Sequence, residues 1–310
     1  MRVLIAESDH QLYRELLQVA APQLELVGGS QPEDLLALAG DCPIWLGEPH
    51  LFAELLRGGL RPQWLQTTWA GIAPLLADDL PQDYRLTRAV GIFGQIMAEY
   101  VLCHMLFQQR ELAARMQAQH ERRWDGRLPR SLAGQKVLIV GTGEIGLAVA
   151  RFLQPFGVEL TGVASSARAL PPFREVAGME QLPRLVADAD YVINLLPNTP
   201  ATRDVYDTAM LACFKPSAML INAGRGTSVV DDALVSALSE GRLAAAVIDV
   251  CREEPLPPEH PFWTAPNLML TGHSAAPTLP PLLVELFVDN LQRFQQGAEL
   301  RGAVDFARGY

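Results

Sequence analysis

The sequence predicts an α/β protein of two doubly wound parallel-sheet domains, with residues 96–280 inserted into a discontinuous first domain of residues 1–95 and 281–310. Three observations predict it. Short apolar runs alternate with longer amphipathic stretches, the rhythm of strands joined by crossover helices. A glycine-rich turn, Gly141-Thr-Gly143-Glu144-Ile145-Gly146, directly follows the apolar run KVLIV and opens a helical pattern. The stretch after Pro277, LPPLLVELFVDNLQRFQQG, reads as one long helix with no strand after it, which suits packing back onto the first segment.

In chain order, the first segment offers RVLIA, LELVG, PIWLG, WLQTT and YRLTRAV as strands. From about 94 to 116 apolar residues recur at helical spacing, and this stretch is expected to form one helix bridging the two domains. After the polar ERRWDGRLPRSLAGQ a second series begins: KVLIV, VELTGV, YVINLL, AMLIN, AAVIDV and LMLTG. Its strands are apolar enough to be buried on both faces, as in a parallel sheet covered by helices.

A chain of 310 residues exceeds one ordinary core and fits two domains. Its 49% hydrophobic and 19% charged residues argue against disorder. The net charge of -10 works against nucleic acid or an anionic membrane as a partner, so an anionic substrate would need arginines placed locally. No apolar run reaches the roughly 20 residues of a membrane span, and the start, MRVLIAESDH, does not read as a signal peptide. A soluble cytoplasmic protein is expected. Cys42, Cys103, Cys213 and Cys251 form no metal-ligand spacing, so neither disulfides nor a metal are expected.

The turn at 141–146 matches the G-x-G-x-x-G fingerprint of dinucleotide-binding Rossmann units. Gly141 makes the tight turn, Gly143 lets backbone approach a pyrophosphate, and Gly146 allows close helix-to-strand packing. Glu144 and Ile145 head the helix, whose free N–H groups and positive dipole end suit phosphate. About 20 residues on, NAD-specific sites place a carboxylate on the ribose 2′-OH. Here the next strand, ELTGV, runs instead into Ser165, Ser166 and Arg168. Arginine and hydroxyls can hold a 2′-phosphate that a carboxylate would repel, so NADP(H) is expected over NAD(H).

Three further stretches fall at strand ends of the second series: INAGRG at 221–226, IDVCREEPLP at 248–257 and LTGHSAA at 270–276. Open α/β sheets bind ligands beyond the carboxyl ends of their strands, which places Arg225, Glu254 and His273 there as an acid–base and anion-binding set. Taken in order, GTGEIG, LLPNTPATR, INAGRG, DVCREEPLP, GHSAA and the tail NLQRFQQG make the chain resemble the D-isomer-specific 2-hydroxyacid dehydrogenase family.

That resemblance implies a Rossmann coenzyme domain inserted into a flavodoxin-like substrate domain, acting on a small anionic 2-oxo or 2-hydroxy acid. It implies Arg225 as the substrate-binding arginine, His273 as the general acid/base and Glu254 as its partner. Pro197 and Asn222 would flank the nicotinamide and Asp249 would meet its carboxamide, with Thr202, Ala223 and His273 also in the cofactor-binding set. In the first domain, Ala70 and Gly71 fall where the family binds the substrate carboxylate through backbone N–H groups, and Gly47 would line the same cleft with Trp45 and Trp69 shaping it. A homodimer is implied too, with the long helix and ERRWDGRLPRSL as contact surface. The chain departs from the family in having Cys251 where an aromatic is common and no acid at 164–166. The second departure looks most like the NADPH-dependent glyoxylate/hydroxypyruvate reductases.

The chemistry suits those roles. Reduction of a 2-oxo acid needs a proton for the carbonyl oxygen as hydride reaches carbon, and histidine titrates in the physiological range. A neighbouring glutamate stabilises the imidazolium and fixes its tautomer. An arginine fork grips a carboxylate and sits beside the developing alkoxide. Two other readings share these residues. One is a dehydrogenase of another acid, such as formate, phosphoglycerate or a branched 2-oxo acid. The other is a non-catalytic, corepressor-like dinucleotide sensor, which has no need of the proton relay that Arg225, Glu254 and His273 would form.

Overall fold

The structure, a computed structural model, describes residues 1–307. The chain divides into two compact units, Met1–Ile92 with the segment from Thr278 onward, and Phe93–Pro277.

The first unit opens with β1 (Arg2–Ala6), α1 (His10–Ala20), β2 (Glu25–Gly29), α2 (Pro32–Ala39), β3 (Ile44–Gly47), α3 (Pro49–Arg57), β4 (Trp64–Thr67) and β5 (Arg85–Thr87). Proline stands in the first turn of both α2 and α3, where no N–H is needed and its fixed φ already suits a helix. The strands pair in parallel in the order β2-β1-β3-β4-β5. The order in which strands are added therefore reverses between β1 and β3, the switch point of a flavodoxin-like sheet. Every residue of β3 and β4 is buried, as in a parallel sheet covered on both faces.

The second unit contains α4 (Gly94–Gln109), α5 (Leu112–His120), β6 (Lys136–Val140), α6 (Glu144–Leu153), β7 (Glu159–Ala164), β8 (Glu175–Gly178), α7 (Leu182–Asp188) and β9 (Tyr191–Asn194). It continues through α8 (Thr208–Leu211), β10 (Met219–Asn222), α9 (Asp231–Ser239), β11 (Ala245–Ile248) and β12 (Leu268–Leu270). The order is β12-β11-β10-β9-β6-β7-β8, all parallel, so the switch point lies between β6 and β9 as in a Rossmann sheet. Alternation along the strands feeds two cores. Leu138, Val140, Val192 and Leu220 pack on one face, and Val137, Ile139, Ile193 and Ile221 on the other.

The last helix, α10 (Pro280–Gln295), belongs to the first unit. Fully buried Trp64 stacks on its Phe287 and Phe294, at centroid distances of 5.2 and 5.4 Å, and donates from Nε1 to Thr87 Oγ1 at 2.8 Å. Asn290 Nδ2 donates to Gln66 Oε1 at 2.9 Å, so the one buried amide on this face is satisfied by β4.

Two expectations need correction. The periodic stretch 94–116 is two helices, both assigned to the second unit, and not one continuous helix. Glu111 takes a left-handed conformation, φ 53°, between them. Helix propensity is overridden by side-chain anchoring: Arg115 Nε donates to the Arg110 carbonyl at 2.9 Å and Arg127 Nη1 holds Glu111 at 2.7 Å. The sheet also has one strand more than the apolar runs suggested. The short EVAG of β8 carries too weak a pattern to read. Among the described residues no helix is long and apolar enough to cross a membrane.

Candidate active site

The glycine turn forms as its spacing requires. Gly141 has φ 105° and lies against the Leu195 carbonyl, where an added Cβ would come within 2.8 Å. A Cβ on Gly146 would meet the Gly141 carbonyl at 2.1 Å, so helix and turn can close only around glycine. At Gly143 a Cβ would meet nothing within 4 Å, leaving open space before α6. Gly143 caps α6 without a side-chain hydrogen bond, and the first-turn N–H groups behind exposed Glu144 are open to an anion. Bare backbone, an uncapped helix start and open space together fit a dinucleotide pyrophosphate.

Beyond the end of β7, Ser165, Ser166 and Arg168 are exposed. Arg168 reaches back to that turn, its Nη2 donating to the Thr142 carbonyl at 2.9 Å and to Thr142 Oγ1 at 3.2 Å. Its backbone N–H is fixed on Val176 O at 3.1 Å. The guanidinium is thus held beside the glycine turn.

After β9, Thr202 folds the 197–202 turn inward: its buried Oγ1 donates to the Pro197 carbonyl at 2.6 Å and accepts from Thr199 N at 2.9 Å. Asn222 and Asn194 end adjacent strands, buried and joined Nδ2 to Oδ1 at 2.8 Å. Asn194 Nδ2 also meets Ser228 Oγ at 2.8 Å, and Ser228 Oγ donates to the Arg225 carbonyl at 2.7 Å. Ala223 N donates to Asn194 O at 3.1 Å. This network fixes the backbone from which Arg225 projects.

Asp249, directly after β11, organises the next loop. Its carboxylate, in a residue 3% exposed, accepts from Thr271 Oγ1 at 2.7 Å, Ser274 N at 2.8 Å and Ala275 N at 3.1 Å. Its backbone carbonyl accepts His273 N at 2.6 Å. His273 is thereby held at φ 56°, a left-handed conformation that a non-glycine residue keeps only where its surroundings enforce it. From this turn His273 Nδ1 meets Glu254 Oε2 at 2.7 Å, and Glu254 Oε1 accepts Cys251 N at 2.7 Å. Arg252 anchors the loop that carries Glu254, its guanidinium on Asp204 and the Val229 carbonyl. Burial, with Glu254, Asp231 and Asp249 adding to it, pushes the Cys251 thiol up to about 11. A cavity of about 200 Å³ is lined by Asn198, Arg225, Thr227, Cys251, Glu254 and His273.

In the first unit, Gly47 ends β3 so close to β1 that a Cβ would lie 1.9 Å from the Ala6 carbonyl. Ala70 and Gly71 follow β4, after a Trp69 carbonyl that accepts Thr67 Oγ1 at 2.7 Å and Ala89 N at 3.1 Å. Trp69 is exposed, whereas Trp45 is 1% exposed, packs on Phe52 and donates to Cys42 O at 2.9 Å. Trp45 is therefore a core residue and shapes no cleft.

The residues predicted in the second unit are thus brought together at the carboxyl ends of its strands. Sequence reasoning missed Asn194, Ser228 and Thr271. The only signal for Asn194 and Thr271 is a polar residue closing or following an apolar strand, as in YVIN and LMLT, and nothing comparable marks Ser228.

Comparison with known proteins agrees with this geometry. The family model described as D-isomer specific 2-hydroxyacid dehydrogenase, NAD binding domain, matches residues 102–275. Glyoxylate/hydroxypyruvate reductase A of Yersinia enterocolitica is 34% identical over 214 residues, 69% of this chain and 68% of that protein. The crystal structure of a D-isomer specific 2-hydroxyacid dehydrogenase family protein from Aeromonas salmonicida superposes with a TM-score of 0.94 at 35% identity, covering 98% of this chain and 99% of that one. An NADPH-dependent glyoxylate/hydroxypyruvate reductase from Sinorhizobium meliloti, solved with NADP and sulfate, gives a TM-score of 0.88 at 26% identity over 100% of this chain and 99% of that one. With the glycine turn, the strand-end residues and the matched stretch all in the same unit, the chain belongs to the D-isomer specific 2-hydroxyacid dehydrogenase family and is an NAD(P)-dependent oxidoreductase.

Proposed function

We propose that this chain reduces small 2-oxo acids of the glyoxylate and hydroxypyruvate type to 2-hydroxy acids, with NADPH preferred over NADH. The observation that carries this reading is the pair of His273 and Glu254, joined at 2.7 Å, lining one cavity with Arg225. Arg225 takes the substrate carboxylate through its guanidinium fork. Glu254 accepts the Nδ1–H of His273, which fixes the tautomer and stabilises the imidazolium, and leaves Nε2–H to protonate the carbonyl oxygen. Bound NADPH supplies the hydride to the carbonyl carbon. The alkoxide that would otherwise form is quenched by the Nε2 proton, and Arg225 stabilises the charge on the way.

The cofactor preference rests on Ser165, Ser166 and Arg168, with no acid at the end of β7 to repel a 2′-phosphate. The Sinorhizobium reductase, which bound NADP, lends support. In the first unit the backbone N–H groups of Ala70 and Gly71 are proposed carboxylate donors, Gly47 lines the same subsite, and exposed Trp69 limits the third carbon. Excluding one methylene is worth about 1 to 3 kcal/mol, so small substrates are favoured by roughly 10- to 200-fold. A homodimer is also proposed, supported by Trp124 and Leu128 in the polar 121–131 segment, 95% and 90% exposed.

The test follows oxidation of NADPH and NADH against a panel of 2-oxo acids. Glyoxylate and hydroxypyruvate should turn over fastest with NADPH, and His273→Asn should lose roughly 100-fold in kcat while still binding NADPH. Equal efficiency with NADH, or faster turnover of a branched acid, overturns the respective part. Light scattering that gives the 33.9 kDa mass of one chain overturns the dimer.

A further inference from the structure

The first unit has its own switch point, between β1 and β3, and open sheets receive ligands beyond the carboxyl ends of strands at such a point. The first residues past the paired ends are Glu7 after β1, Glu48 after β3 and Thr68 after β4. Glu48 is 5% exposed; its Oε1 accepts Ser8 N at 2.8 Å and Ser8 Oγ at 2.7 Å, while its Oε2 lies 3.3 Å from His50 Nε2. The His50 ring rests against Trp69, centroids 5.6 Å apart. A chain of contacts therefore runs from the buried carboxylate to the 69–71 loop.

Glu7 Oε2 is buried and, like Oγ1 of Thr68, a residue only 1% exposed, has no donor or acceptor of ordinary geometry among the described residues. β1 and β3 are paired neighbours and Glu48 N donates to Ala6 O at 2.8 Å, so the next residues, Glu7 and Glu48, stand side by side. Two carboxyls can hydrogen-bond only if one carries a proton. Burial first, then the adjoining Glu48 carboxyl, pushes Glu7 up to about 8. For Glu48 burial works upward, but the adjoining Glu7 carboxyl, the bonds from Ser8 and the nearby His50 hold it below the ordinary glutamate value. The proton therefore sits on Glu7. The other titratable groups facing the pair come from α1 and α3. Tyr13 stays neutral because burial and the surrounding carboxylates raise its phenol. Asp9 and His10 head α1, with His10 N on the Glu7 carbonyl at 3.1 Å, and His50 stands on α3.

We propose that Glu7 and Glu48 are positioning residues for the 69–71 loop, which this buried pair holds, through His50 and Trp69, in the conformation that receives the substrate carboxylate. This rests on the proposed role of Ala70 and Gly71. When Glu7 ionises, two carboxylates face each other in a confined space and must separate, and the backing of His50 and Trp69 goes with them.

The experiment uses the full chain and its Glu7→Gln variant, in which a neutral donor persists at every pH. KM and kcat for glyoxylate are measured from pH 6 to 9.5, and Trp69 emission is isolated by subtracting the Trp69→Phe counterpart of each protein. Any pH dependence of the reaction that does not involve Glu7 is common to both proteins and cancels in their ratio. The ratio of wild-type to Glu7→Gln KM should rise about tenfold between pH 7 and 9, with kcat alike in both. A Trp69 transition centred near 8 should appear in the wild type and vanish in Glu7→Gln. A flat KM ratio with no Trp69 transition, or a transition that persists in Glu7→Gln, overturns the positioning role. A Trp69 transition abolished by Glu7→Gln while the KM ratio stays flat upholds the positioning of the loop and overturns its role in binding carboxylate.

Discussion

Removing the Asp249 carboxylate should damage catalysis more through the placement of His273 than through the cofactor, and the hydrogen bonds give the size. In Asp249→Ala three donors lose their acceptor: Thr271 Oγ1, Ser274 N and Ala275 N. The Thr271 hydroxyl can turn to Tyr100 OH, already 2.8 Å away, and Ser274 is exposed enough for water to replace the carboxylate. Each of those losses costs about 1 kcal/mol. Ala275 N, in a residue 2% exposed, has no such recourse and is stranded at about 1 to 3 kcal/mol. The sum is about 3 to 5 kcal/mol, and for a unit of this size each kcal/mol shifts the melting temperature by about 2 to 4 °C. Asp249→Asn keeps one oxygen for Thr271 and Ser274 and disturbs only the Ala275 contact of Oδ2 at 3.1 Å, so it should cost about 1 to 2 kcal/mol. The assay is calorimetry of both variants beside kcat and the NADPH Michaelis constant. Stability and kcat should fall together, Ala more than Asn, with the NADPH constant changing less. A variant that melts like the wild type and loses only NADPH affinity would refute the reasoning and make Asp249 a carboxamide ligand alone.

Arg168→Ala should raise the NADPH Michaelis constant roughly tenfold, the discounted value of one exposed charge-assisted bond, and leave that for NADH within about twofold; parallel changes for both cofactors would sink the 2′-phosphate role. In Gly226→Ala the new Cβ would stand 2.0 Å from the Cys251 carbonyl carbon, so the loops after β10 and β11 must part. About 1 to 3 kcal/mol of stability should be lost, with a larger proportional loss of kcat/KM because Glu254 rides on the second loop; unchanged kinetics would contradict that link. Cys251, with its thiol near 11, should resist alkylation near pH 8, where about one thousandth is thiolate, and gain about tenfold in rate per pH unit up to that value. Mass-mapped labelling checks this against exposed Cys103, and Cys251 reacting first at pH 8 would be the contrary result.

Much of the second unit is legible in its sequence because its signals are local. GTGEIG after KVLIV requires glycine for reasons confined to a few residues, and the strand-end positions of Arg225, Glu254 and His273 follow from apolar runs that stop where the ligand side begins. What stays hidden is set by contacts between distant stretches. The break at Glu111 is only half local: Arg115 on the Arg110 carbonyl lies within 94–116, but the Arg127 that holds Glu111 lies beyond the helix pair. Trp45 and Trp69 look alike as strand-associated aromatics, yet burial puts one in the core and leaves the other exposed. The pairing of Glu7 with Glu48 depends on β1 and β3 being neighbours, and neither residue stands out from the acidic background of the chain.

The interruption of the first unit has a consequence for the order in which the chain is made. On the ribosome, β1 to β5 emerge first, but the face of Trp64 is closed only by Phe287 and Phe294, more than two hundred residues later. The second unit is contiguous from Phe93 to Pro277 and can complete its core while that indole is still waiting. The first sheet therefore waits for the whole second unit before α10 covers Trp64, and until then it carries an exposed apolar face of the kind that favours aggregation. Ribosome-bound chains that end at residue 277 and are followed by an unstructured linker long enough to clear the exit tunnel should show a protease-resistant second unit and a Trp64 open to aqueous quenchers, and a quencher-shielded Trp64 there would show that the first unit needs no closing helix.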